Sequence, residues 1–449
     1  MKDSEFEQLE LALLRKMVDK VEKISGKKTI NTPAVKKMIK IVENFIKTKK
    51  LICYGGTAIN NILPAKDQFY DKDVEIPDYD FFSSNALAHA KELADIYLSR
   101  GFDKVEAKSG MHKGTYKVFV NFIPVADITQ LDGEIYRNIK REAIKKNGIL
   151  YTPANFLRMS MYLELSRPHG DVSRWEKILK RLILLNRHYP LAGYSCDEKT
   201  FQRSMEDVNN YDVYGLLKNT FIKEKVVFFG GYANTIYARY MPAKEKRRLS
   251  KNPDFDVLSE DPEGTAEKIM GVLLDGGYEG AQIVKHDGIG ELIEDHYEIK
   301  IGQDTVAFIY EPNACHSYNV IRSSNKGIKI ATIDTMLSFY LAFLYSDREY
   351  YDDDRILCMA NYLFKVQSKN RLKQKGVLKR FSINCYGKQK GIPEIRSKKS
   401  EMYEKLRRNR KSKQYEEWFL NYSPGSQKKK KTKRRNPLSK NRRTRRKRK

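Results

Sequence analysis

The chain has 449 residues, of which 41% are hydrophobic, and this length is sufficient for two or three domains with buried cores. The net charge of +28 comes entirely from the C-terminal end: residues 1–364 contain 52 basic and 52 acidic residues and are neutral. The longest apolar run, Met336 to Tyr345, is about half of what a bilayer requires, and the first 14 residues lack the zones of a signal peptide. We therefore expect a soluble, intracellular protein without a membrane segment.

The five cysteines are scattered and form no CxxC pair, and the seven histidines form no HxH or HxxxH pair. This spacing predicts neither a disulfide framework nor a zinc site. Any metal should therefore be held by oxygen ligands, which indicates Mg²⁺ or Mn²⁺.

Residues 1–50 are predicted to form two amphipathic helices. Apolar residues recur at helical spacing from Phe6 to Val21, and Gly26 with two following lysines should end the first helix. Thr32–Pro33 is typical of a capped start for the second helix.

The next segment has the pattern of a mixed α/β domain. A short apolar strand, 51–54, runs into Gly55 and Gly56, and a helix is expected from about Asn85 to Ser99. Alternating strands follow from Thr115 to Ile128, and the pattern becomes helical and basic over 153–186.

An internal repeat divides the chain. The segments starting at Leu51, Pro64, Asp78, Gly101, Val125 and Gly148 return, in the same order, at Val227, Pro242, Asp254, Gly277, Val306 and Gly327. The offset stays between about 174 and 181 residues, so we predict a duplicated domain. The boundaries we expect are a helical segment 1–50, a first copy 51–190, a second copy 191–365, a basic extension 366–422 and a disordered polybasic tail 423–449.

Three aspartates form the candidate catalytic site. Asp78 and Asp80 are two residues apart in a predicted strand, so both carboxylates share one face. Asp127 stands alone in the apolar strand 125–128, where an acid is costly to bury without a partner. Three such carboxylates are typical of sites that hold two divalent ions for phosphoryl transfer.

A second group of residues is predicted to bind the nucleotide. A Gly-Gly turn before a helix lets backbone N–H groups approach a triphosphate, and a hydroxyl can donate to a phosphate oxygen. Cations from the following helices are further candidates. The predicted nucleotide-binding residues are Gly55, Gly56, Thr57, Arg158, Arg174, Lys177 and Lys180.

Each of these features alone has an ordinary structural explanation. A Gly-Gly pair is usually a tight turn, an Asp-x-Asp is usually a solvated loop or a helix cap, and the cations also fit a solvated helix face. Only their combination in this order favours catalysis.

In this combination, Gly55-Gly56-Thr57, Asp78-x-Asp80 and Asp127 resemble the nucleotidyltransferase superfamily of the polymerase-β type. The segments YGGTAIN, PDYDFFS, VADITQ and FLRMSMYLELSRP resemble the poly(A) polymerase catalytic subunits of poxviruses and giant DNA viruses over roughly residues 50–365. The resemblance implies template-independent addition of adenylate from ATP to mRNA 3′ ends, with two metal ions held by Asp78, Asp80 and Asp127.

Two departures from the family pattern affect this prediction. The spacing from Gly56 to Asp78 implies an inserted loop, 64–77, near the site. In the second copy, Phe308 stands where Asp127 stands in the first, and Tyr232 replaces Thr57, so we predict a catalytically inactive second copy. The viral family is known for such a degenerate domain.

Partners, location and alternatives complete the sequence-based predictions. The polybasic tail and the aromatic residues among the cations of 366–422 (Phe381, Tyr386, Tyr403, Tyr415 and Trp418) favour RNA contact, although import or solubility functions also fit the tail. The resemblance allows a homodimer or a separate processivity partner, and the long basic extension, which would suit an enzyme carrying its own RNA tether, favours the homodimer. We expect the host cytoplasm (a viral factory) or the virion as the location. Uridylyl or CCA addition and a non-catalytic RNA-binding scaffold are the alternatives.

Overall fold

A computed structural model describes residues 3–191, 196, 201, 210–246, 249, 253–323 and 326–425. The tail predicted to be disordered, 423–449, lies outside these residues from position 426 onward. None of the helices in the described part is long and apolar enough to cross a bilayer.

The two N-terminal helices are confirmed: α1 spans Asp3–Ile30 and α2 spans Pro33–Lys49. Thr32 caps α2, since its hydroxyl accepts from the amide of Val35 at 3.4 Å, and Pro33 occupies the first turn. The expected stop at Gly26 is wrong, because α1 continues for another turn to Ile30.

The first copy contains seven strands and five helices. In chain order these are β1 Ile52–Cys53, α3 Gly55–Ile62, β2 Tyr79–Ser83, α4 Ala86–Ser99, β3 Val105–Ser109, β4 Thr115–Val120, β5 Ile123–Gln130, α5 Gly133–Arg141, β6 Ile144–Lys146, β7 Ile149–Tyr151, α6 Ala154–Leu165 and α7 Trp175–His188.

The second copy repeats this arrangement, and a C-terminal segment follows it. In chain order the elements are α8 Asn210–Lys223, β8 Val227–Phe229, α9 Gly230–Tyr237, α10 Ala243–Lys246, β9 Phe255–Leu258, α11 Pro262–Asp275, β10 Ala281–His286, β11 His296–Ile301, β12 Asp304–Tyr310, β13 His316–Ser323, β14 Lys326–Ala331, α12 Ile333–Phe343, α13 Asp353–Lys369, β15 Cys385–Tyr386, α14 Ile392–Leu406, α15 Lys413–Phe419 and β16 Asn421–Tyr422.

Two mixed sheets of eight strands confirm both the α/β class and the repeat. The first sheet has the order β16-β3-β4-β5-β2-β1-β7-β6 and the second β10-β11-β12-β9-β8-β14-β13-β15. Seven strands correspond one to one. In each sheet the strand before the Gly-Gly turn is antiparallel to one neighbour (β2 or β9) and parallel to the other (β7 or β14).

The two copies pack through equivalent helices. α6 and α12, which each follow the last central strand of their copy, lie against one another. Phe156 of α6 contacts the ring of Tyr345, and Asn138 donates to the Tyr345 carbonyl at 2.9 Å. The buried apolar residues of both copies therefore form one continuous core.

The segment 366–422 adds a strand to the edge of each sheet. β15 pairs with β13, and β16 pairs with β3 of the first copy. Its predicted stacking aromatics are half-buried, and four of the five lie close to cations of the protein itself; for example, Lys113 lies over Trp418 and Lys329 over Tyr386.

The expectation of no disulfides is wrong. Cys196 is bonded to Cys358, and Cys315 to Cys385, over sequence separations of 162 and 70 residues. In the described part, one group of three His, Cys, Asp or Glu side chains has ligand atoms that all lie within 4.8 Å of one another, namely His169 with the second pair, whose sulfurs are joined to each other. Asp78, Asp80 and Asp127 do not form such a group in the absence of bound ions.

Candidate active site

The three predicted carboxylates come together on one face of the first sheet. β2 and β5 are parallel neighbours, and Asp80 and Asp127 are partners in their register. Directly paired residues on neighbouring strands point to the same face. Asp78 lies two positions before Asp80, immediately before β2 begins, and Tyr79 between them points to the opposite side, where its hydroxyl donates to Glu43 at 2.5 Å.

Burial and the proximity of the carboxylates raise the pKa values of Asp80 and Asp78. Burial, followed by the charges of Asp78 and Asp127, raises the pKa of Asp80 to about 7. Burial and the charge of Asp127 also raise the pKa of Asp78. Three carboxylates in one place are therefore unfavourable without a compensating cation.

Lys117 supplies part of that compensation. It is the register partner of Asp127 on β4, and its ammonium forms an ion pair with Asp127 Oδ2. The other oxygen, Asp127 Oδ1, is buried and has no hydrogen-bond partner. A buried acceptor left unsatisfied is costly, so the site fits a further cation on the Oδ1 side.

The Gly-Gly turn lies directly against these carboxylates. Gly55 begins α3 with φ +69°, and a Cβ there would lie 2.6 Å from Asp80 Oδ2. A Cβ on Gly56 would clash with the Tyr70 hydroxyl and lie 3.0 Å from the guanidinium of Arg181. The positive φ of Gly55 therefore requires glycine, whereas the neighbours of Gly56 are the ends of side chains that can shift. The N-terminus of α3 lies beside Asp80.

Thr57 has a different role from the one predicted. Its side chain is buried, and its hydroxyl donates to the backbone carbonyl of Asp78 at 2.6 Å. A phosphate oxygen accepts hydrogen bonds, and the single hydroxyl hydrogen of Thr57 is already donated. Thr57 therefore positions Asp78 instead of binding phosphate.

The prediction for Arg158 is also corrected. Its side chain is 1% exposed, and its guanidinium donates to Asn186 Oδ1 at 2.7 Å, to Asn155 and to the Tyr189 carbonyl. These bonds join α6 to α7 and to the chain after α7. Arg158 is a structural residue and is not available to a triphosphate.

The other predicted cations lie at the start of α7 and just before it. Arg174 is exposed and lies 3.5 Å from Glu164. Its charge lowers the pKa of Asp80, although burial and the two neighbouring carboxylates raise that pKa by more. Lys177 is exposed, and Lys180 pairs with Glu176 one turn away at 2.5 Å. Of these three residues, only Arg174 has an electrostatic connection to the carboxylates in the described part.

Sequence reasoning missed Arg181. Its guanidinium donates to the Tyr70 hydroxyl at 2.6 Å, lies 4.9 Å from the ring centre of Phe69, and approaches the Gly56 turn. Phe69 and Tyr70 belong to the predicted inserted loop 64–77, so this loop holds the cation beside the turn. The available sequence signal was the position of Arg181 one residue after Lys180, on the less exposed side of α7.

The equivalent place in the second copy is filled by protein atoms. Phe308 is the register partner of Asp256, as Asp127 is of Asp80, and it is fully buried. Asp254 forms a buried pair with Arg355, whose Nη2 donates to both carboxylate oxygens at 3.0 and 2.9 Å. The guanidinium thus provides the positive charge at the position that corresponds to Asp78.

Comparisons with known proteins agree with the resemblance. Residues 40–171, which include the three aspartates and the Gly-Gly turn, match the family model described as poly(A) polymerase catalytic subunit. A chain from African swine fever virus (isolate Tick/Malawi/Lil 20-1/1983), assigned as such a subunit, is 31% identical over 215 residues, which cover 45% of each chain. A chain of Acanthamoeba polyphaga mimivirus with the same assignment is 30% identical over 161 residues, covering 35% of this chain and 27% of the relative.

The fold has a solved counterpart. The crystal structure of the Megavirus polyadenylate synthase matches with a TM-score of 0.78 at 20% identity, covering 97% of this chain and 88% of that one. The aligned part of the present chain spans less than half the length of each of these two viral relatives. The predicted resemblance and fold are confirmed.

Proposed function

We propose that the protein, like the viral poly(A) polymerases it resembles, is a template-independent polynucleotide adenylyltransferase that extends mRNA 3′ ends from ATP. The observation that carries this proposal is the register of β2 and β5, which sets Asp80 directly beside Asp127, with Asp78 two positions earlier. The Gly-Gly turn lies against the same carboxylates. This is a site for nucleotide phosphates next to a site for divalent cations.

Asp78, Asp80 and Asp127 would hold Mg²⁺ or Mn²⁺. Bound there, such ions would supply charge neutralisation for the triphosphate and a lower pKa for the attacking 3′-hydroxyl. The backbone amides at the start of α3, on Gly55 and Gly56, would bind phosphate oxygens. Thr57 fixes Asp78 through its backbone carbonyl, and Lys117 neutralises part of the charge of Asp127.

Arg181 and Arg174 are the cations that we assign to the triphosphate. Arg181 lies beside the turn and is held by the hydroxyl of Tyr70, and Arg174 acts electrostatically on Asp80. A guanidinium can donate to two phosphate oxygens at once, so a positioned arginine binds a triphosphate more specifically than a mobile lysine. We give Lys177 and Lys180 no more than a contribution to the local positive potential.

Replacing Arg181 with alanine is expected to raise KM for ATP about 10- to 100-fold, because hydrogen bonds to charged groups are lost at the phosphates. RNA affinity should be nearly unchanged. Steady-state kinetics at saturating primer measure this effect. Lys180→Ala is the matched control one residue away, and an equal rise in KM for both variants would contradict a specific role for Arg181.

Base choice separates this proposal from its alternatives. Primer extension with each of the four nucleotides should give long products with ATP alone. Products with UTP, or a short CCA addition, would instead indicate another RNA 3′-terminal nucleotidyltransferase. No extension with any nucleotide, together with RNA binding, would leave a scaffold as the function.

Truncation after Tyr422 should weaken RNA binding and flatten its dependence on salt. The removed residues, 423–449, contain fifteen Lys or Arg and no acid, so they bind phosphates by counterion release. The cut leaves β16 intact, including the Tyr422 hydroxyl that donates to Asp95 at 2.7 Å. Filter binding at several salt concentrations measures the slope. A normal slope with reduced kcat on saturating primer would instead assign the tail to the catalytic apparatus.

The remaining parts of the proposal concern organisation. The domain boundaries are those given above, and the second copy acts as an inactive platform for RNA or a partner. We favour a homodimer over a separate processivity subunit, and host cytoplasm or the virion as the location.

A further inference from the structure

The N-terminal helix α1 exposes a long apolar face. Every residue from position 5 to position 25 is exposed, and Lys23 in this stretch lies 3.8 Å from Asp71. Nine large apolar side chains here are 45–66% exposed: Phe6, Leu9, Leu11, Leu13, Leu14, Met17, Val18, Val21 and Ile24. No other helix in the described part carries a comparable number of exposed large apolar residues.

Such a helix lacks an obvious source of stability in a monomer. Helices in proteins are stabilised mainly by burying one apolar face, as α2 does with Val35, Met38, Val42, Phe45 and Ile46. Among the described residues, α1 contacts the body of the protein near its end, where Lys23 lies close to Asp71, Gly26 lies against Val74 and Ile30 is buried. An apolar face of this length on a soluble chain indicates an interaction surface.

The sequence of α1 identifies the partner. The central apolar residues occupy positions 6, 9, 13, 17, 21 and 24, a pattern that is symmetric about position 15. Two copies of the helix in antiparallel orientation, centred on this position, would set Phe6 opposite Ile24, Leu9 opposite Val21, and Leu13 opposite Met17. Each of these six central positions would therefore meet another apolar position, whereas Leu11 and Leu14 would lie opposite Asp19 and Lys16.

The charges of α1 select the same orientation. Residues 5–10 contain three glutamates and no Lys or Arg, whereas residues 15–28 contain six basic and two acidic residues. The antiparallel register sets Glu7 opposite Lys23 and Glu10 opposite Lys20. A parallel pair would place like charges together, which is unfavourable.

We propose that α1 pairs with α1 of a second copy as an antiparallel two-helix contact with a twofold axis near residue 15. The contact is isologous, so one surface serves both protomers and the assembly closes as a dimer. It supplies the contact surface of the homodimer favoured above, and it does not depend on the proposed catalytic activity.

Substitutions in the central apolar layer of α1 test the contact between the two helices. In the full-length protein, Leu13→Glu with Met17→Glu places charges in the middle of the pair and should raise the dimer dissociation constant at least about 100-fold. Sedimentation velocity over a concentration series measures it. Both side chains are exposed in the monomer, so the Tm of the folded body should stay unchanged. Gln8→Glu with Ala12→Glu is the matched control, because it adds the same charge to the opposite face.

A cross-linking experiment tests the orientation. Chains carrying Phe6→Cys mixed with chains carrying Ile24→Cys should form a disulfide-linked heterodimer, whereas Phe6→Cys alone should not cross-link. Efficient cross-linking of Phe6→Cys to itself would overturn the antiparallel register. A monomeric wild-type protein at tens of micromolar, or a dimer that survives the central double substitution, would overturn the proposal.

Discussion

Asp80→Asn is expected to lower ATP incorporation at least about 1,000-fold, equivalent to about 4 kcal/mol in activation free energy. The substitution keeps the shape of the side chain but removes a charge from the group that pairs in register with Asp127. RNA affinity should change little, because the polybasic tail is distant in sequence and independent of this carboxylate. Labelled-ATP incorporation and filter binding on the same preparation measure the two effects.

The variant should remain folded. Because burial and the neighbouring carboxylates raise the pKa of Asp80 to about 7, the native state favours the neutral side chain more than the unfolded state does. Ionisation of the Asp80 carboxyl therefore lowers the free energy of unfolding of the metal-free protein as pH rises from about 4 to 7. An uncharged asparagine removes that penalty, so metal-free Asp80→Asn should be at least as stable as wild type at about pH 7.5.

Asp256→Asn, the equivalent change in the second copy, should retain activity per folded molecule. Full activity of Asp80→Asn would remove this residue from the site.

Asp254→Ala is expected to reduce stability without affecting the chemistry. The change leaves the buried guanidinium of Arg355 without its carboxylate, and breaking such a buried pair typically costs about 3–5 kcal/mol. Thermal and denaturant unfolding measure this loss, and kcat per folded molecule, determined below the transition, should be close to wild type.

A second variant separates the lost charge pair from any catalytic effect. Asp254→Leu with Arg355→Met replaces the pair by apolar side chains and should recover most of the stability. If folded Asp254→Ala were inactive, the chemistry would be in the second copy and our assignment of the first would be wrong.

The parts of the site that depend on local periodicity were predictable from the sequence. Period two in a strand places Asp78 and Asp80 on one face, and the ordered repeat is sufficient by itself to align Phe308 with Asp127. The strand register confirms this alignment, since Phe308 faces Asp256 as Asp127 faces Asp80. The cap of α2 at Thr32 was predictable for the same reason, because it involves neighbours in the chain.

Contacts between distant segments could not be predicted. Arg181 reaches the Gly-Gly turn only because Phe69 and Tyr70 of the inserted loop hold it, 111 residues away in sequence. The Cys196–Cys358 bond and the Asp254–Arg355 pair are non-local in the same way. Neither has a spacing that marks it in one sequence.

The predicted phosphate-binding roles of Arg158 and Thr57 differ from their places in the structure for another reason. Both are polar residues that the chemistry could have used, and the structure uses them for packing instead. Arg158 stands among Leu157, Met159 and other apolar residues of α6, and these neighbours are a sequence signal for burial. The Thr57 hydroxyl reaches the Asp78 carbonyl because α3 packs against β2.

The most direct test of the metal-site assignment is anomalous diffraction from crystals soaked with Mn²⁺ and a non-hydrolysable ATP analogue. We expect two anomalous peaks about 3.5–4 Å apart among Asp78, Asp80 and Asp127, with the triphosphate at the start of α3. The Asp254–Arg355 pair should show no peak. Peaks at Asp254 or Asp256, or none at the three aspartates of the first copy, would contradict the account.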